Sequence, residues 1–392
     1  MKFVSLKIGI RKNRYLYFDP HMTFMLFLFM MLVMLAVALV KESVMKPYFF
    51  SDQITIFSFM KMTYSFGPGN SYGSTAYFYK LLGFEQSSIV FALISAVIII
   101  STFVFIFIKV RGGSMNIFDI GVFLFFCFSS MINLTWQSKD FIVFLVMMPL
   151  LITFMNRTAG LLIWTCFAIF YAYYFRTYWF LFLLEFYGLL LMTRYVHKGK
   201  WIFVLCLLSL LVLAFGFQYG LGIDVDNFRN EVNEHRLDST GDGSNTLIRP
   251  WLPAGNPLFG WANVSLTWIT FFVPFPLILM LSPYYVVISG FIILMFRRIW
   301  QTLNAALQDR TYPLVVLFAL IIISYTVIQS LFEPDYGSYL RHLAPFYPLM
   351  FYVYLSFGKF KKGRVNENPP CCGDNQRWRC YGIKATCRGT TG

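Results

Sequence analysis

Long apolar segments constrain the fold of this chain more than any other feature of its sequence. Hydrophobic residues make up 58% of the 392 residues and charged residues only 13%, whereas charged residues form about a quarter of a soluble domain. The apolar runs are continuous and do not alternate with polar residues, so they predict membrane-spanning helices and not a β-barrel. Runs long enough to span lie at about 22–40, 88–108, 116–132, 141–155, 159–175, 177–193, 201–219, 276–296, 313–332 and 343–358. The predicted fold is therefore an all-α integral membrane protein, a polytopic helical bundle of about ten transmembrane helices.

The positions of lysine and arginine indicate how this bundle is oriented, because short cytoplasmic loops retain basic residues. All the basic clusters fall on one side if segment 262–276, ANVSLTWITFFVPFP, does not cross the membrane, and Pro274 and Pro276 favour an interfacial or re-entrant segment there. The clusters contain Lys7, Arg11, Lys12, Arg14, Lys109, Arg111, Arg157, Arg194, Lys198, Lys200, Arg297, Arg298, Lys359, Lys361, Lys362 and Arg364. We therefore expect both termini to be cytoplasmic. The net charge of +14 is interpreted as an orientation signal with affinity for anionic headgroups, and not as a nucleic-acid site.

This orientation predicts a single polytopic membrane domain over residues 1–360. Its two larger extracytoplasmic loops span about 41–86 and 220–260. Residues 361–392 differ in composition from the rest of the chain, and we expect them to form a disordered cytoplasmic extension or an aberrant reading-frame tail. The cysteines of that tail, Cys371, Cys372, Cys380 and Cys387, lack the paired spacing that is typical of zinc ligands. We expect neither a metal site nor a cofactor in this protein.

One short stretch, EPDYGSYLRHLAPFYP, concentrates ionisable residues between the last two apolar runs. It contains Glu333, Asp335, Arg341 and His342. We expect Arg341 to bind a pyrophosphate, because its planar guanidinium can pair with two phosphate oxygens at once. His342, Asp335 or Glu333 is expected to act as the base that takes a proton from an acceptor hydroxyl. A salt bridge that closes the hairpin is the structural alternative for Arg341.

Further candidate substrate-binding residues lie elsewhere in the sequence. They are Arg176, Arg236, Arg249, Tyr178, Trp179 and Glu185. The arginines would help to bind the pyrophosphate. The two aromatic residues, which lie in YAYYFRTYW, would stack on sugar rings. The alternative is that YAYYFRTYW is an interfacial aromatic belt and that Arg176 snorkels to the lipid headgroups. Glu185 lies deep in the sixth apolar run, where charged groups are rare and usually functional. It would line a lipid-phosphate cavity or, alternatively, be protonated and bonded to a neighbouring tyrosine.

Several segments together resemble the bacterial O-antigen and capsular polysaccharide polymerases, the Wzy-type family. They are FRNEVNEHRLDSTGDGSNTLIRPWLPAGNPLF in the second larger loop, the proline-bearing FVPFPLILM and the late EPDYGSYLRHLAPFYP, set in a layout of about ten spans. The resemblance covers residues 20–360. The paired Arg-x10-Gly pattern described for some members is absent, because Leu247 stands eleven positions after Arg236.

The resemblance implies a reaction on the periplasmic side of the bacterial inner membrane. Undecaprenyl-pyrophosphate-linked repeat units would be polymerised into O-antigen or capsular polysaccharide, by transfer of the growing glycan to the non-reducing sugar of a newly arrived unit. Arginines would stabilise the leaving-group charge in place of a metal ion. The expected partners are these lipid-linked glycans, membrane lipids, a chain-length regulator and a flippase.

Two other functions remain open at this point. A GT-C-type glycosyltransferase that uses a polyprenyl-phosphate sugar would have a catalytic acid soon after the first span, where this sequence has Asp52. A lipid-linked oligosaccharide flippase would need a charged cavity but no base. Transporters often have matching halves with broken helices, and only the segment around Pro274 suggests such a break. We expect Asp52 not to be the catalytic base.

Overall fold

The computed structural model describes residues 9–10, 16–17, 20–45, 47–85, 88–111, 117–240, 246–253, 255–310 and 312–365. Two short antiparallel strands, β1 (Gly9–Ile10) and β2 (Leu16–Tyr17), precede a chain that is predominantly helical. The cysteine-containing tail beyond residue 365 and the basic residues Lys7, Arg11, Lys12 and Arg14 lie outside the described residues. The predictions that concern them are therefore not addressed by this structure.

Sixteen α-helices are formed by the described residues. They are α1 (Pro20–Val44), α2 (Ser51–Met60), α3 (Ser71–Leu81), α4 (Ser88–Arg111), α5 (Ile117–Leu134), α6 (Lys139–Met147), α7 (Arg157–Tyr174), α8 (Trp179–Met192), α9 (Gly199–Phe215), α10 (Asn227–Thr240), α11 (Pro257–Phe272), α12 (Phe275–Leu279), α13 (Pro283–Asp309), α14 (Pro313–Phe332), α15 (Tyr336–Leu343) and α16 (Tyr347–Val365). Short 3₁₀ segments follow α1, α6 and α15, and a π-helical turn continues α9.

Six helices in the described part of the chain are long and apolar enough to cross a membrane. They are α1, α4, α5, α9 with its π-helical extension, α13 and α14. Helix α8 is equally apolar but shorter. A water-soluble protein could not expose so many continuous apolar helices, because only the bilayer offers them an apolar solvent. The prediction of an all-α membrane protein is confirmed at this level.

Helix α14 is the central helix of the bundle. Its residues from Val315 to Leu331 are nearly all buried, and it packs against α8, α11, α13 and α16. Its sequence, PLVVLFALIIISYTVIQSLF, is apolar on every side, as expected for a helix that is surrounded by other helices. Tyr325 of α14 stacks on Phe346, which precedes α16, with ring centroids 4.0 Å apart. This packing fixes the position of Glu333, which directly follows the last turn of α14.

Contacts between the helix connections define two ends of the bundle. At the first, which we call the site end, the connections that follow α1, α5, α7 and α14 meet. At the second, which we call the basic end, the α8–α9 connection meets the α13–α14 connection. There the Gly199 N–H donates to the Asn304 side chain at 2.9 Å, and Arg310 donates to the Arg194 carbonyl at 3.3 Å. Arg194 and Arg310, which lie far apart in the sequence, are therefore neighbours in the fold.

The segments predicted to lie between the membrane spans contain regular structure. The first larger loop, 41–86, includes α2 and α3, and the second, 220–260, includes α10. Segment 262–276 forms most of α11, and the chain turns at Pro274 before α12 begins. The rings of Trp251 and Phe275, which flank α11 in sequence, lie 5.5 Å apart. The chain therefore breaks where the two prolines indicated that it would.

Candidate active site

Four helix connections bring ionisable side chains together at the site end of the bundle. We call these side chains the charged cluster: Asp52, Lys139, Asp140, Arg176, Glu333, Arg341 and His342. They come from the start of α2, the start of α6, the α7–α8 connection and the segment between α14 and α16. The cluster therefore combines three carboxylates with three basic side chains and one histidine.

Arg341 lies at the centre of the charged cluster. Its Nη2 is 3.1 Å from Oδ2 of Asp52, and its Nε is 3.4 Å from Oδ2 of Asp140. The Arg341 side chain is 20% exposed and that of Asp140 only 1%, so the guanidinium has an accessible side while one of its partners is covered. Because both carboxylates come from distant segments, these ion pairs join α2 and α6 to α15. The ion pairs of Arg341 therefore connect distant segments, and they are not limited to the hairpin between α14 and α16.

His342 lies between the acidic side chain of Glu333 and the basic side chain of Arg176. Its Nδ1 lies 2.8 Å from Oε2 of Glu333, and its Nε2 lies 3.3 Å from Nη2 of Arg176. Because arginine can only donate, Nε2 accepts in that contact, and Nδ1 carries the proton that it donates to Glu333. Oδ1 of Asp140 is 3.6 Å from Nε2. In this tautomer the accepting nitrogen, Nε2, faces the other members of the cluster.

Helix ends favour the placement of these charges. Asp52 and Asp140 lie in the first turns of α2 and α6, where the helix dipole stabilises a negative charge. Arg341 and His342 lie in the last turn of α15, where the dipole stabilises a positive charge. Ser138 caps α6 by accepting a hydrogen bond from the Phe141 N–H. Two helix N-termini and one C-terminus thus converge on the cluster with matching side-chain charges.

Helix α3 positions two of the segments that carry the cluster. The Tyr72 hydroxyl donates to Oδ1 of Asp52 at 2.8 Å, and the Lys139 ammonium lies 3.5 Å from the centroid of the Tyr72 ring. The Tyr79 hydroxyl donates to the Ser138 carbonyl at 2.6 Å, directly before α6. The first larger loop is therefore part of the wall of the site.

Burial and neighbouring charges shift the pKa values of the cluster in different directions. Burial alone would raise the pKa of Asp52, but the charges of Arg341 and Lys139 and the hydrogen bond from Tyr72 lower it to about 2. Burial raises the pKa of Asp140 in spite of the opposing charge of Arg341. Burial also lowers the pKa of Lys139 to about 8. Asp52 is thus a fixed anion near neutral pH, whereas Lys139 loses its charge under mildly alkaline conditions.

Asp335, a predicted catalytic residue, has a clear structural role. Its carboxylate caps α15 by accepting hydrogen bonds from the Ser338 N–H and hydroxyl, both at 2.8 Å. Its backbone pairs with Leu247 in an isolated antiparallel bridge, and the Ile248 N–H donates to the Pro334 carbonyl at 2.9 Å. The capping contacts account for an acidic residue at this position. Its participation in catalysis stays a prediction.

The two residues predicted to stack on sugar rings, Tyr178 and Trp179, have different surroundings in the structure. Tyr178 belongs to the site, because its hydroxyl accepts a hydrogen bond from Nη1 of Arg176 at 2.7 Å. Trp179 is fully buried and packs against Tyr171 and Phe182 in the core. The indole of Trp179 is covered by the core in this structure, and its stacking on a sugar stays a prediction. Trp179 begins α8 and anchors it in the core.

The other predicted substrate-binding residues are not brought into the charged cluster by the contacts that the structure describes. Arg249 is exposed in the α10–α11 connection. Glu185 accepts a hydrogen bond from the Ser209 hydroxyl at 3.0 Å, which joins α8 to α9. The partner of Glu185 is therefore a serine and not the tyrosine considered as an alternative. The side chain of Arg236 lies outside the described part of the chain.

Three members of the site were missed by sequence reasoning. Asp140 contacts Arg341, Tyr72 contacts Asp52 and Lys139 contacts Tyr72, yet none of the three was proposed as functional. The adjacent Lys139 and Asp140 interrupt an otherwise apolar region directly before the fourth apolar run, and this was the available signal. Short polar segments between spans can therefore contribute site residues, as the late EPDYGSYLRHL stretch does.

The second larger loop is anchored beside the site by a buried polar group. Arg229 of α10 is fully buried, forms an ion pair with Asp226 and donates to the Thr267 hydroxyl of α11 at 2.7 Å. Asn263 of α11 donates to Asp226 at 2.7 Å as well. Together with the bridge at Leu247, these contacts tie the loop to the segment that carries Glu333.

Among the described residues, no group of three or more histidine, cysteine, aspartate and glutamate side chains is arranged to hold a metal ion. In the charged cluster, arginine and lysine side chains lie between the carboxylates. Comparison of the chain with protein-family models, with curated proteins and with solved structures finds no match. The function is therefore argued from the geometry of the site.

Proposed function

We propose that this protein polymerises undecaprenyl-pyrophosphate-linked oligosaccharide repeat units into O-antigen or capsular polysaccharide at the periplasmic face of a bacterial inner membrane. The observation that carries the proposal is the convergence of Arg341, Arg176 and the Glu333–His342 pair in one partly accessible cluster. The arginines would bind the pyrophosphate of the donor, and the histidine would activate the acceptor sugar.

The transfer step uses the groups of the cluster as follows. The acceptor hydroxyl loses its proton to Nε2 of His342 while its oxygen forms a bond to C1 of the donor sugar. The bond between C1 and the pyrophosphate oxygen breaks, and the leaving pyrophosphate takes the electron pair. Arg341 and Arg176 stabilise the charge that develops on the leaving group. Glu333 holds Nδ1–H and stabilises the imidazolium that forms.

The contact between Arg176 and His342 suits this sequence of events. In the ligand-free protein, Arg176 donates to Nε2 and occupies the lone pair of the base. A bound pyrophosphate would attract the guanidinium of Arg176 and so free Nε2 for the acceptor hydroxyl. The base would then become available only after the donor has bound, which would protect the donor from premature hydrolysis.

A ten-span topology with both termini in the cytoplasm is part of the proposal. In this topology ten helical segments would connect the site end with the basic end: α1, α4, α5, α6 from Phe141 onward with its 3₁₀ extension, α7, α8, α9, α13, α14 and α16. Arg194, Lys198 and Arg310 gather at the basic end, and none of the cluster residues lies there. The positive-inside rule then favours a cytoplasmic basic end and a periplasmic site end.

A GT-C-type glycosyltransferase with a polyprenyl-phosphate sugar donor is the second candidate function. It is favoured by the position of Asp52, which follows α1 closely and contacts Arg341 inside the cluster. In that case Asp52 would be the base and the donor would carry one phosphate. The low pKa of Asp52, about 2, favours the polymerase, because a carboxylate of such low basicity accepts a proton poorly.

The surface polysaccharide of a deletion strain tests the proposed function. A polymerase predicts that the strain retains products with a single repeat unit and loses the long chains. Loss of all repeat units would point to an earlier step, such as the flippase function. Loss of one sugar branch, with normal chain length, would point to the GT-C-type function. Complementation with the wild-type gene is the control for each pattern.

A further inference from the structure

The carboxylate of Asp140 lies between two members of the charged cluster that have different proposed roles. Asp140 is in the first turn of α6, and its side chain is only 1% exposed. Its Oδ2 lies 3.4 Å from Nε of Arg341, and its Oδ1 lies 3.6 Å from Nε2 of His342. One buried carboxylate therefore faces both the arginine assigned to the pyrophosphate and the histidine assigned as the base.

The surroundings of Asp140 make its negative charge costly. Within the described part of the chain, neither of its carboxylate oxygens receives a hydrogen bond, and its contact with Nε of Arg341 is an ion pair without hydrogen-bond geometry. A buried charge that lacks hydrogen bonds is destabilising. Burial accordingly raises the pKa of Asp140 in spite of the charge of Arg341. Groups held under such conditions at a site of this kind usually serve its chemistry.

The imidazole of His342 has a carboxylate on each side. Oε2 of Glu333 is 2.8 Å from Nδ1, and Oδ1 of Asp140 is 3.6 Å from Nε2. Nη2 of Arg176, which is 3.3 Å from Nε2, opposes a positive charge on the ring. Because Glu333 faces the Nδ1 side alone, a proton that arrives at Nε2 needs an anion on that second side, and Asp140 supplies it.

Other titratable groups surround this pair of residues. They are Asp52 of α2, Tyr79 of α3, Lys139 of α6, Tyr171 of α7, Tyr178 of the α7–α8 connection and Tyr325 of α14. The tyrosines are uncharged near neutral pH. Asp52 and Lys139 have opposite charges, which offset each other. Asp140 is therefore the carboxylate that acts on the Nε2 side of the ring.

We propose that Asp140 is a positioning residue for the base, whose carboxylate stabilises the imidazolium of His342 from the Nε2 side. The proposal rests on the proposed function, since it assumes that His342 takes the proton of the acceptor hydroxyl. As that proton moves to Nε2 and the hydroxyl oxygen bonds to C1, the ring gains a positive charge that both flanking carboxylates stabilise. After the product leaves, the proton passes from Nε2 to water. The distance of 3.6 Å exceeds a hydrogen bond, and such contacts often shorten when substrate binds.

Titration of His342 in the purified, ligand-free, full-length protein tests this contact without an assay of activity. The chain has four histidines, and the His342 signal in a nitrogen NMR spectrum of histidine-labelled protein is the one that His342→Gln removes. Asp140→Asn should move the titration midpoint of this ring about one pH unit lower, because a neighbouring carboxylate favours the charged form. Asp52→Asn is the matched control: it removes the other carboxylate that pairs with Arg341 and should leave the midpoint nearly unchanged. An unmoved midpoint in Asp140→Asn, or an equal shift in both variants, would overturn the proposal.

The pH dependence of polymerisation tests the same role during the reaction. The value of kcat/KM falls on the acid side as the base of the free enzyme becomes protonated. Asp140→Asn should move this acid limb about one pH unit lower and reduce kcat about tenfold at neutral pH. KM for the lipid-linked donor should not rise, because Arg341 loses a carboxylate that competes with the phosphates. Asp140→Glu keeps the charge and should keep the wild-type limb.

A purely structural role for Asp140 gives a different pattern. If Asp140 only holds Arg341 in place, Asp140→Asn should raise KM and leave the acid limb where it is, and this result would overturn the proposal. If Asp140→Asn does not accumulate, Asp140→Ser removes the same charge with a smaller side chain and is expected to give the same shifts.

The proposed function and the role of Asp140 can fail separately in these experiments. A deletion strain with a normal polysaccharide would contradict the proposed function, whatever the titration of His342 shows. A strain that loses long chains, combined with an Asp140→Asn protein whose His342 titrates as in the wild-type protein, would retain the polymerase and reject the role of Asp140.

Discussion

The guanidinium of Arg341 lies 3.1 Å from a carboxylate oxygen of Asp52, although the two residues come from opposite halves of the chain. The same guanidinium also pairs with Asp140. These contacts give Arg341 two anionic partners in the ligand-free protein, so a phosphate would have to compete with carboxylates for it. The accessible side of Arg341 is where that exchange would begin.

The Glu333–His342 pair is expected to be the general base. His342→Gln should lower the rate of polymerisation by about two to four orders of magnitude, because general-base catalysis typically contributes that much. Glu333→Gln should give a smaller loss, and the double variant should be no worse than His342→Gln, since both residues act through one proton transfer. The measurement is polymer formation from lipid-linked repeat units by the purified variants.

Asp335→Asn is the matched control for these variants. Asparagine caps a helix nearly as well as aspartate, so α15 should be retained and the rate should remain near that of the wild-type protein. If Asp335→Asn instead reduces the rate as strongly as His342→Gln, the base has been assigned to the wrong residue.

Asp52→Asn distinguishes the polymerase from the GT-C-type enzyme. Asparagine can still accept the hydrogen bond from Tyr72 but carries no charge, so we expect weaker activity and not its loss. The GT-C-type function requires that Asp52→Asn abolish product while His342→Gln leaves it intact. Comparing the surface polysaccharide of strains that carry each variant decides between the two patterns.

Donor binding is expected to weaken above about pH 8. The pKa of Lys139 is lowered by burial from 10.5 to about 8, so the folded protein holds this proton less tightly than the unfolded chain. Lys139 therefore costs stability below pH 8, and this cost disappears as the pH rises towards 10.5. In the folded protein, the positive charge of Lys139 is lost as the pH rises through about 8.

The alkaline loss of affinity can be traced to Lys139 with two substitutions. Affinity for undecaprenyl pyrophosphate is measured between about pH 6 and pH 9.5. Lys139→Arg keeps its charge and should remove the alkaline decrease, and Lys139→Met should bind weakly at every pH. An alkaline decrease that persists in both variants would assign the titration to another group.

Cysteine labelling in intact cells tests the topology. Glu231 in α10 and Lys198 at the basic end are both exposed, so single cysteines there should react if the reagent reaches them. We expect an impermeant maleimide to label Glu231→Cys and to label Lys198→Cys only after the membrane is permeabilised. Labelling of Lys198→Cys alone in intact cells would reverse the orientation.

The sequence predicted the architecture well because continuous apolar runs have few structural solutions. The helical membrane bundle and the break at Pro274 followed from local composition. Helices α2, α3 and α10 were not anticipated, because they lie in segments of mixed polarity where helix formation depends on packing against the bundle. Tertiary contacts, such as that of Tyr79 with Ser138, determine their positions.

The candidate site was predicted in part for a related reason. Arg341, His342 and Glu333 stood together in one short stretch, so sequence proximity was sufficient to group them. Asp140 is distant in sequence from all three, and only the three-dimensional packing of α6 against the segment before α16 brings it near Arg341. The burial of Trp179 was not evident from the sequence, because an aromatic residue at the end of a span can face either the core or the headgroups.

The most direct test of the charged cluster as the catalytic site is the chain length of the polysaccharide made by an Arg341→Lys strain. Lysine keeps one positive charge near Asp52 and Asp140 but cannot pair with two phosphate oxygens at once. Loss of such a contact costs about 3 kcal/mol of transition-state stabilisation, or on the order of a hundredfold in rate. We therefore expect Arg341→Lys to accumulate normally in the membrane and to make almost no long chains. Wild-type chain length in that strain would contradict the account.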